Sequence, residues 1–261
     1  MSLASKFSID VKESFPRLVQ APIVETVIEI RTQAEAPWEE PVITEQLKSM
    51  LPDYPSVQSQ QQFMHEVKVE VGQKAEGVIQ NLGWKGLRFE SADKLHIAQF
   101  NRDGFLFSHL QPYDSWEQFC VEGLRLWQLH MDLAKPTEIH RLGLRVINRM
   151  VFSQDEEQLK DYLQILPQGP LDMDLPIGGF FHHEELRVPG YPYAINIRRM
   201  IQPPDVPTAR EIGLIIDIDV FTTQPFELQS GILERYLVEM RWLKNKVFYG
   251  SITPKAVEKF K

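Results

Sequence analysis

The chain has 261 residues, of which 43% are hydrophobic and 25% charged, and its net charge at pH 7 is −8. That length allows one large domain or two small ones, with a sizeable core and no need of covalent staples. The acidic balance argues against a broad nucleic-acid-binding face, because phosphate neutralisation needs clustered Lys and Arg, and a lone cysteine, Cys120, excludes an internal disulfide or a cysteine-rich metal site.

In chain order, residues 1–20 show weak periodicity and read as a loose lead-in with no hydrophobic signal segment. Pro22–Arg31 (PIVETVIEIR) opens the first strand. Pro37 and Pro41 flank Trp38, and a short helix follows around Val42–Leu51, stopped by Pro52 and Pro55. Phe63–Val71 alternates cleanly as a strand, with Glu66, Lys68 and Glu70 on one face. Val78–Leu82, Leu87–Glu90 and Leu95–Phe100 read as three more strands. Asp103-Gly104 then turns the chain into a hairpin with Phe105–Leu110. Ser115 caps a helix, with Gln118 at the capping-box spacing. Its apolar stripe is Trp116, Phe119, Cys120, Leu124, Trp127 and Met131. Cys120 reads as a small buried hydrophobe on that helix.

The second half opens with Glu138–Phe152 and continues through a short helix near Asp155–Leu166 and a Pro/Gly/Asp-rich loop. Strands are expected at Phe180–Val188, Ala194–Ile201 and Glu211–Phe221, with Pro203, Pro204 and Pro207 in the loop between the last two. A long helix over Phe226–Phe248 follows, and Thr253-Pro254 caps a short tail helix. The order of elements in one half thus repeats in the other. The fold expected is α+β: two similar halves, each an antiparallel sheet covered by a long amphipathic helix. They would form one domain of two pseudo-repeats, about 20–135 and 138–261. Such units place a site at their seam.

The stretches APIVETVIEIR, FSHLQPYDSWEQF with GLRLW, HRLGLRVINRM, LIIDIDVF and the closing VFYGSIT, taken together, resemble a sporadically distributed bacterial family of uncharacterised proteins of similar length. The resemblance implies no activity, ligand or catalytic residue. The family's sporadic distribution suggests a place in a bacterial defence or toxin-neutralising system.

The chemistry-bearing residues lie on strands. Alternation puts Arg141, Arg145 and Arg149 on one face of the strand that opens the second half, where guanidiniums could bind phosphate or carboxylate. The bland alternative is a solvated face balanced by acidic neighbours. Asp217 and Asp219, at i and i+2, share one strand face and could ligate Mg²⁺ through oxygen. Cross-strand pairing with Arg145 or Arg149 is the simpler account. His109 sits where a strand gives way to a helix, a common lining position, although a lone His there is more often structural. His182 and His183 are adjacent and face opposite ways. No zinc spacing, phosphate-binding glycine loop or nucleophile elbow occurs. The charges at Glu66–Glu70 on a single strand read as a solvated edge, and the Trp residues read as core. The expectation is a cytoplasmic, non-catalytic binding protein with a protein partner, a homodimer being compatible, no cofactor and no membrane contact. The alternative is a Mg²⁺-dependent phosphate-ester or nucleotide-processing enzyme, with Asp217 and Asp219 holding metal and Arg145 and Arg149 binding phosphate.

Overall fold

The computed structural model describes residues 7–68, 76–153, 157–169, 177–202 and 211–261. Its first strand, β1 (Ile23–Arg31), is followed by helix α1 (Glu40–Met50), strands β2 (Ser56–Lys68), β3 (Glu76–Glu90), β4 (His96–Asn101) and β5 (Gly104–Leu110), and helix α2 (Trp116–Ala134). Then come β6 (Glu138–Ile139), β7 (Arg141–Ser153), β8 (Phe181–Arg187), β9 (Ala194–Gln202), β10 (Glu211–Thr222), β11 (Phe226–Glu227), α3 (Ile232–Ser251) and α4 (Pro254–Phe260). Nine strands form one antiparallel sheet in the order β2-β3-β4-β5-β1-β7-β10-β9-β8, and β6 pairs with β11 separately.

The antiparallel sheets expected of the two halves form one continuous sheet. The opening strands β1 and β7 lie side by side at the centre, with Thr26 opposite Val146 and Ile28 opposite Leu144. Two separate sheets would have left a row of unpaired backbone N–H and C=O groups on each opening strand. Joining the edges satisfies both rows.

Strand alternation sends one parity of residues into the core. Ile28 and Ile30 of β1, Phe105 and Phe107 of β5, Leu142 and Leu144 of β7 and Leu214, Ile216, Ile218 and Val220 of β10 belong to one cluster. Ile43 and Leu47 of α1, Phe119, Leu126 and Trp127 of α2, and Leu237, Met240 and Leu243 of α3 join it. Each such side chain contributes roughly 1.5–3 kcal/mol when taken fully out of water. Helix α2 approaches closely at Gly123, where a Cβ would stand 3.1 Å from Ile28 Cδ1 and Phe107 Cδ1. Among the described residues no helix is long and apolar enough to cross a membrane.

Several elements differ from expectation. Val78–Leu82 and Leu87–Glu90 are one strand, β3. Gly83 at φ +98°, whose N–H donates to Asn81 Oδ1 at 2.8 Å, and register shifts that leave Leu82 and Lys85 of β3 without a partner in β2 absorb the irregularity without breaking the ladder. Strand β2 starts at Ser56, seven residues before the alternating run. Helix α3 begins only at Ile232, because Phe226–Glu227 pairs with β6 and Gly231 at φ +79° sets the helix start. The helix expected near Asp155–Leu166 is, in its described part, a 3-10 turn at Leu159–Asp161, followed by Leu163 bridging to Ile252. The side chains of Glu66–Glu70 and the loop with Pro203, Pro204 and Pro207 lie outside the described residues.

The lead-in is not loose. Glu13 accepts from Trp242 Nε1 at 2.9 Å and from Lys246 Nζ at 2.6 Å. Tyr249 donates its hydroxyl to the Pro16 carbonyl at 2.6 Å, and Phe15 stacks on Tyr249. These contacts are irregular in spacing, so no helix or strand period betrays them in the sequence.

Candidate functional site

Residues of the other parity point away from the core. On β7 these are Arg141, Gly143, Arg145, Ile147 and Arg149, and on β10 they include Asp217 and Asp219. The two strands are neighbours, so the arginines and aspartates meet. Arg145 grips Asp217 with two parallel bonds, Nε to Oδ1 at 2.8 Å and Nη2 to Oδ2 at 2.7 Å. Such a fork is among the stronger charge-assisted geometries. Arg198 of β9 adds a third bond to Asp217 Oδ2 at 3.2 Å. The Asp217 hydrogen bond holds the Arg145 guanidinium above its ordinary pKa.

Asp219 stands directly opposite Arg145 in register, yet its partner is Arg141, which donates Nη2 to Oδ2 at 2.9 Å. Arg141 also pairs with Glu29 of β1 and lies over the Phe221 ring at 4.9 Å. The pairing is therefore diagonal along the sheet. Gly143 makes room for it, since a Cβ there would come within 2.5 Å of Arg141 Nη1. Burial pushes the Asp219 carboxyl above the usual carboxylate range, against the pull of Arg141. Among the described residues Arg149 meets no aspartate; its Nε donates to Gln202 Oε1 at 2.9 Å. Among the described residues no group of three His, Cys, Asp or Glu is placed to hold a metal ion.

His109 is 1% exposed and points into the helical side of the sheet, away from the arginines. Its ring stacks on His96 at 4.3 Å between centroids and neighbours Tyr113 at 5.4 Å. Burial, with His96 beside it, lowers its pKa and keeps it neutral. The structure thus brings Arg141, Arg145, Asp217 and Asp219 into one network, leaves Arg149 at its margin and puts His109 on the opposite face. His183 Nε2 lies 3.1 Å from Asn196 Oδ1, and His182 is near Glu184 and Arg199.

A second site was not visible in the sequence. Where the N-terminus of α2 meets α3, beneath the lead-in, lies a cavity of about 690 Å³. Its wall includes Asn148, Ser115, Trp116, Arg241, Trp242 and Lys244. Ser115 caps α2, its Oγ accepting from Gln118 N–H at 3.2 Å. Arg241 is taken up by Glu117 at 3.2 Å and lies over the Trp116 ring. Burial, with Arg241 nearby, pushes the Lys244 amine down to about 8. The lining comes from four separate stretches of chain, so no local pattern marks it. No protein-family model matches this sequence, and no curated protein sequence is detectably similar to it.

Proposed function

We propose that this chain is a cytoplasmic, non-catalytic binding protein that docks a protein partner on the outward face of its sheet. The observation that carries this reading is the engagement of both aspartates by guanidiniums. A carboxylate held in a bidentate fork is poorly placed to give its lone pairs to a metal. Five arginines, Arg31, Arg141, Arg145, Arg149 and Arg198, share the face with five carboxylates, Glu25, Glu29, Glu211, Asp217 and Asp219. The face is thus balanced in charge on a chain of net −8. Val27, Ile147, Ile215 and Phe221 lie between the charges, and arginine mixed with apolar groups is typical of interface centres. A partner presenting a carboxylate to Arg149, which pairs with Gln202 and with no carboxylate among the described residues, fits this surface.

Two corollaries belong to the same reading. The order of strands runs outward from β1 and β7 in both directions, which supports an internal duplication with β1 and β7 as counterparts. Membership of the sporadically distributed bacterial family would give the binding a setting in defence or toxin neutralisation. A homodimer is compatible, with the sheet ends β2 and β8 as the available edges.

The experiment is affinity capture of the tagged chain from its host, beside a variant carrying Arg149→Glu and Arg198→Glu. A stoichiometric protein retained by the parent and lost by the variant supports the reading. Equal retention by both removes the sheet face from it. A retained nucleotide or phosphorylated metabolite would instead favour the rival, a Mg²⁺-dependent phosphate-ester enzyme built on Asp217, Asp219, Arg145 and Arg149.

A further inference from the structure

The cavity between α2 and α3 lies on the helical side of the sheet and is independent of the outward face. Its volume of about 690 Å³ falls in the usual range for small-molecule sites. Aromatic groups line much of it, with Trp116 on one helix and Trp242 on the other. Its cations are unequal. Arg241 already has Glu117 at 3.2 Å, while Lys244, one turn further along α3, and Arg17 of the lead-in have no hydrogen-bond or ion-pair partner among the described residues. A half-buried ammonium without a counter-charge is costly, since burial disfavours the charged form. The first turn of α2 forms the opposite wall, where the N–H groups of Trp116 and Glu117 lack intrahelical acceptors and the helix dipole is positive.

We propose that this cavity binds a small organic monoanion, a carboxylate on an aromatic or aliphatic body, with Lys244 as the counter-ion and Trp116 and Trp242 as the apolar walls. The anion supplies what Lys244 lacks. The body packs against the aromatic part of the lining, where burial of apolar area contributes to affinity. The single negative charge follows from the carboxylates of the lining: Glu13, Asp114 and Glu117 border the cavity and would repel a second one. A carboxylate is therefore favoured over a doubly charged phosphate monoester. Asn148, 2% exposed, keeps its amide nitrogen on the Ile216 carbonyl at 3.1 Å, which fixes the orientation of its side chain at the inner end of the cavity.

Binding is measured by calorimetry on the full chain with indole-3-acetate and octanoate as probes and with phenyl phosphate and tryptamine as controls. The expected result is binding of at least one carboxylate at or below about 1 mM, and weaker or no binding of both controls. Lys244→Met should weaken that binding by about tenfold or more, as loss of a charged hydrogen-bond donor does. Lys48→Met, exposed on α1 and outside the cavity, should leave it unchanged. Lys244→Gln, which keeps a polar tip, serves as the second variant, and thermal melting shows that each is folded. Absence of binding by both carboxylates, equal binding by the folded Lys244 variants, or tighter binding of phenyl phosphate would each overturn the proposal.

Discussion

At the residue scale the two aspartates of β10 look alike and should behave differently. Asp217 is 3% exposed and satisfies two guanidiniums, so Asp217→Asn leaves Arg145 and Arg198 short of a counter-charge. A loss of about 2 kcal/mol is expected from the missing charged hydrogen bonds, reduced because Arg145 is 43% exposed and can turn to water. Asp219 has a raised pKa, so ionisation works against the fold as pH rises above the ordinary carboxylate range. Asp219→Asn removes that cost, and Arg141 retains Glu29. Its effect at pH 7 should stay within about 1 kcal/mol. Urea denaturation of both variants checks the order, and equal losses would contradict it. The ion-paired arrangement also predicts that Mg²⁺ leaves the parent's melting temperature unchanged. The parity of every charged residue here was legible from alternation. The diagonal pairing was not, because it depends on Gly143 leaving space for the Arg141 side chain.

His130 offers a second test at this scale. It is fully buried on α2 among Trp38, Phe100, Phe105 and Trp127, and burial lowers its pKa to about 3. A depressed histidine pKa means stability is intact above about 6.5 and is lost as pH falls toward the folded value. The loss should approach about 1.4 kcal/mol per pH unit between roughly pH 6 and 4. His130→Phe should flatten that part of the profile, measured by melting from pH 7 to 4. An unchanged slope would show that carboxylates alone set the acid limit. The sequence placed His130 on a helix but not in the core, since its apolar stripe was drawn through Met131 instead.

At the element scale, α2 was the most legible unit. Ser115 caps it as the spacing suggested, and Phe119 and Trp127 are core. Ser115→Ala should cost about 1 kcal/mol, the usual value of an N-cap hydroxyl. Because Ser115 also borders the cavity, circular dichroism at the helix band separates fraying from ligand effects. A loss below a few tenths would mean that α2 is held by packing alone. The reading failed where short-range signals had two meanings. Asn81 and Gly83 are turn residues by composition, and β3 runs through them because bulges at Leu82 and Lys85 let it stay paired with β2. Likewise the helix expected from Phe226 starts later, because the chain pairs with β6 before α3 begins.

At the scale of the whole molecule, the sequence supported repeated element order and an antiparallel meander, while the joining of nine strands into one sheet depends on contacts about 120 residues apart. No local period encodes that, although β1 and β7 each carry the alternation that makes pairing possible. The lead-in poses the same problem at greater range. Its bonds reach Trp242, Lys246, Tyr249 and Phe260, and its Phe15 and Leu18 pack partly against the core. Residues 7–20 therefore act as a strap that ties the start of the chain to α3 and roofs the cavity. Removing residues 1–19 should cost about 2–4 kcal/mol, from the partly buried Ile9, Phe15 and Leu18 and the lost hydrogen bonds. In a chain of this size that corresponds to a fall in Tm of about 5–10 °C. Hydrogen exchange should rise first in α3 between Arg241 and Tyr249, where the strap lies, and stay slow in β7 and β10. A truncated chain with unchanged Tm and unchanged exchange in α3 would mean that the strap does not hold α3 in solution, and that the cavity is open on that side.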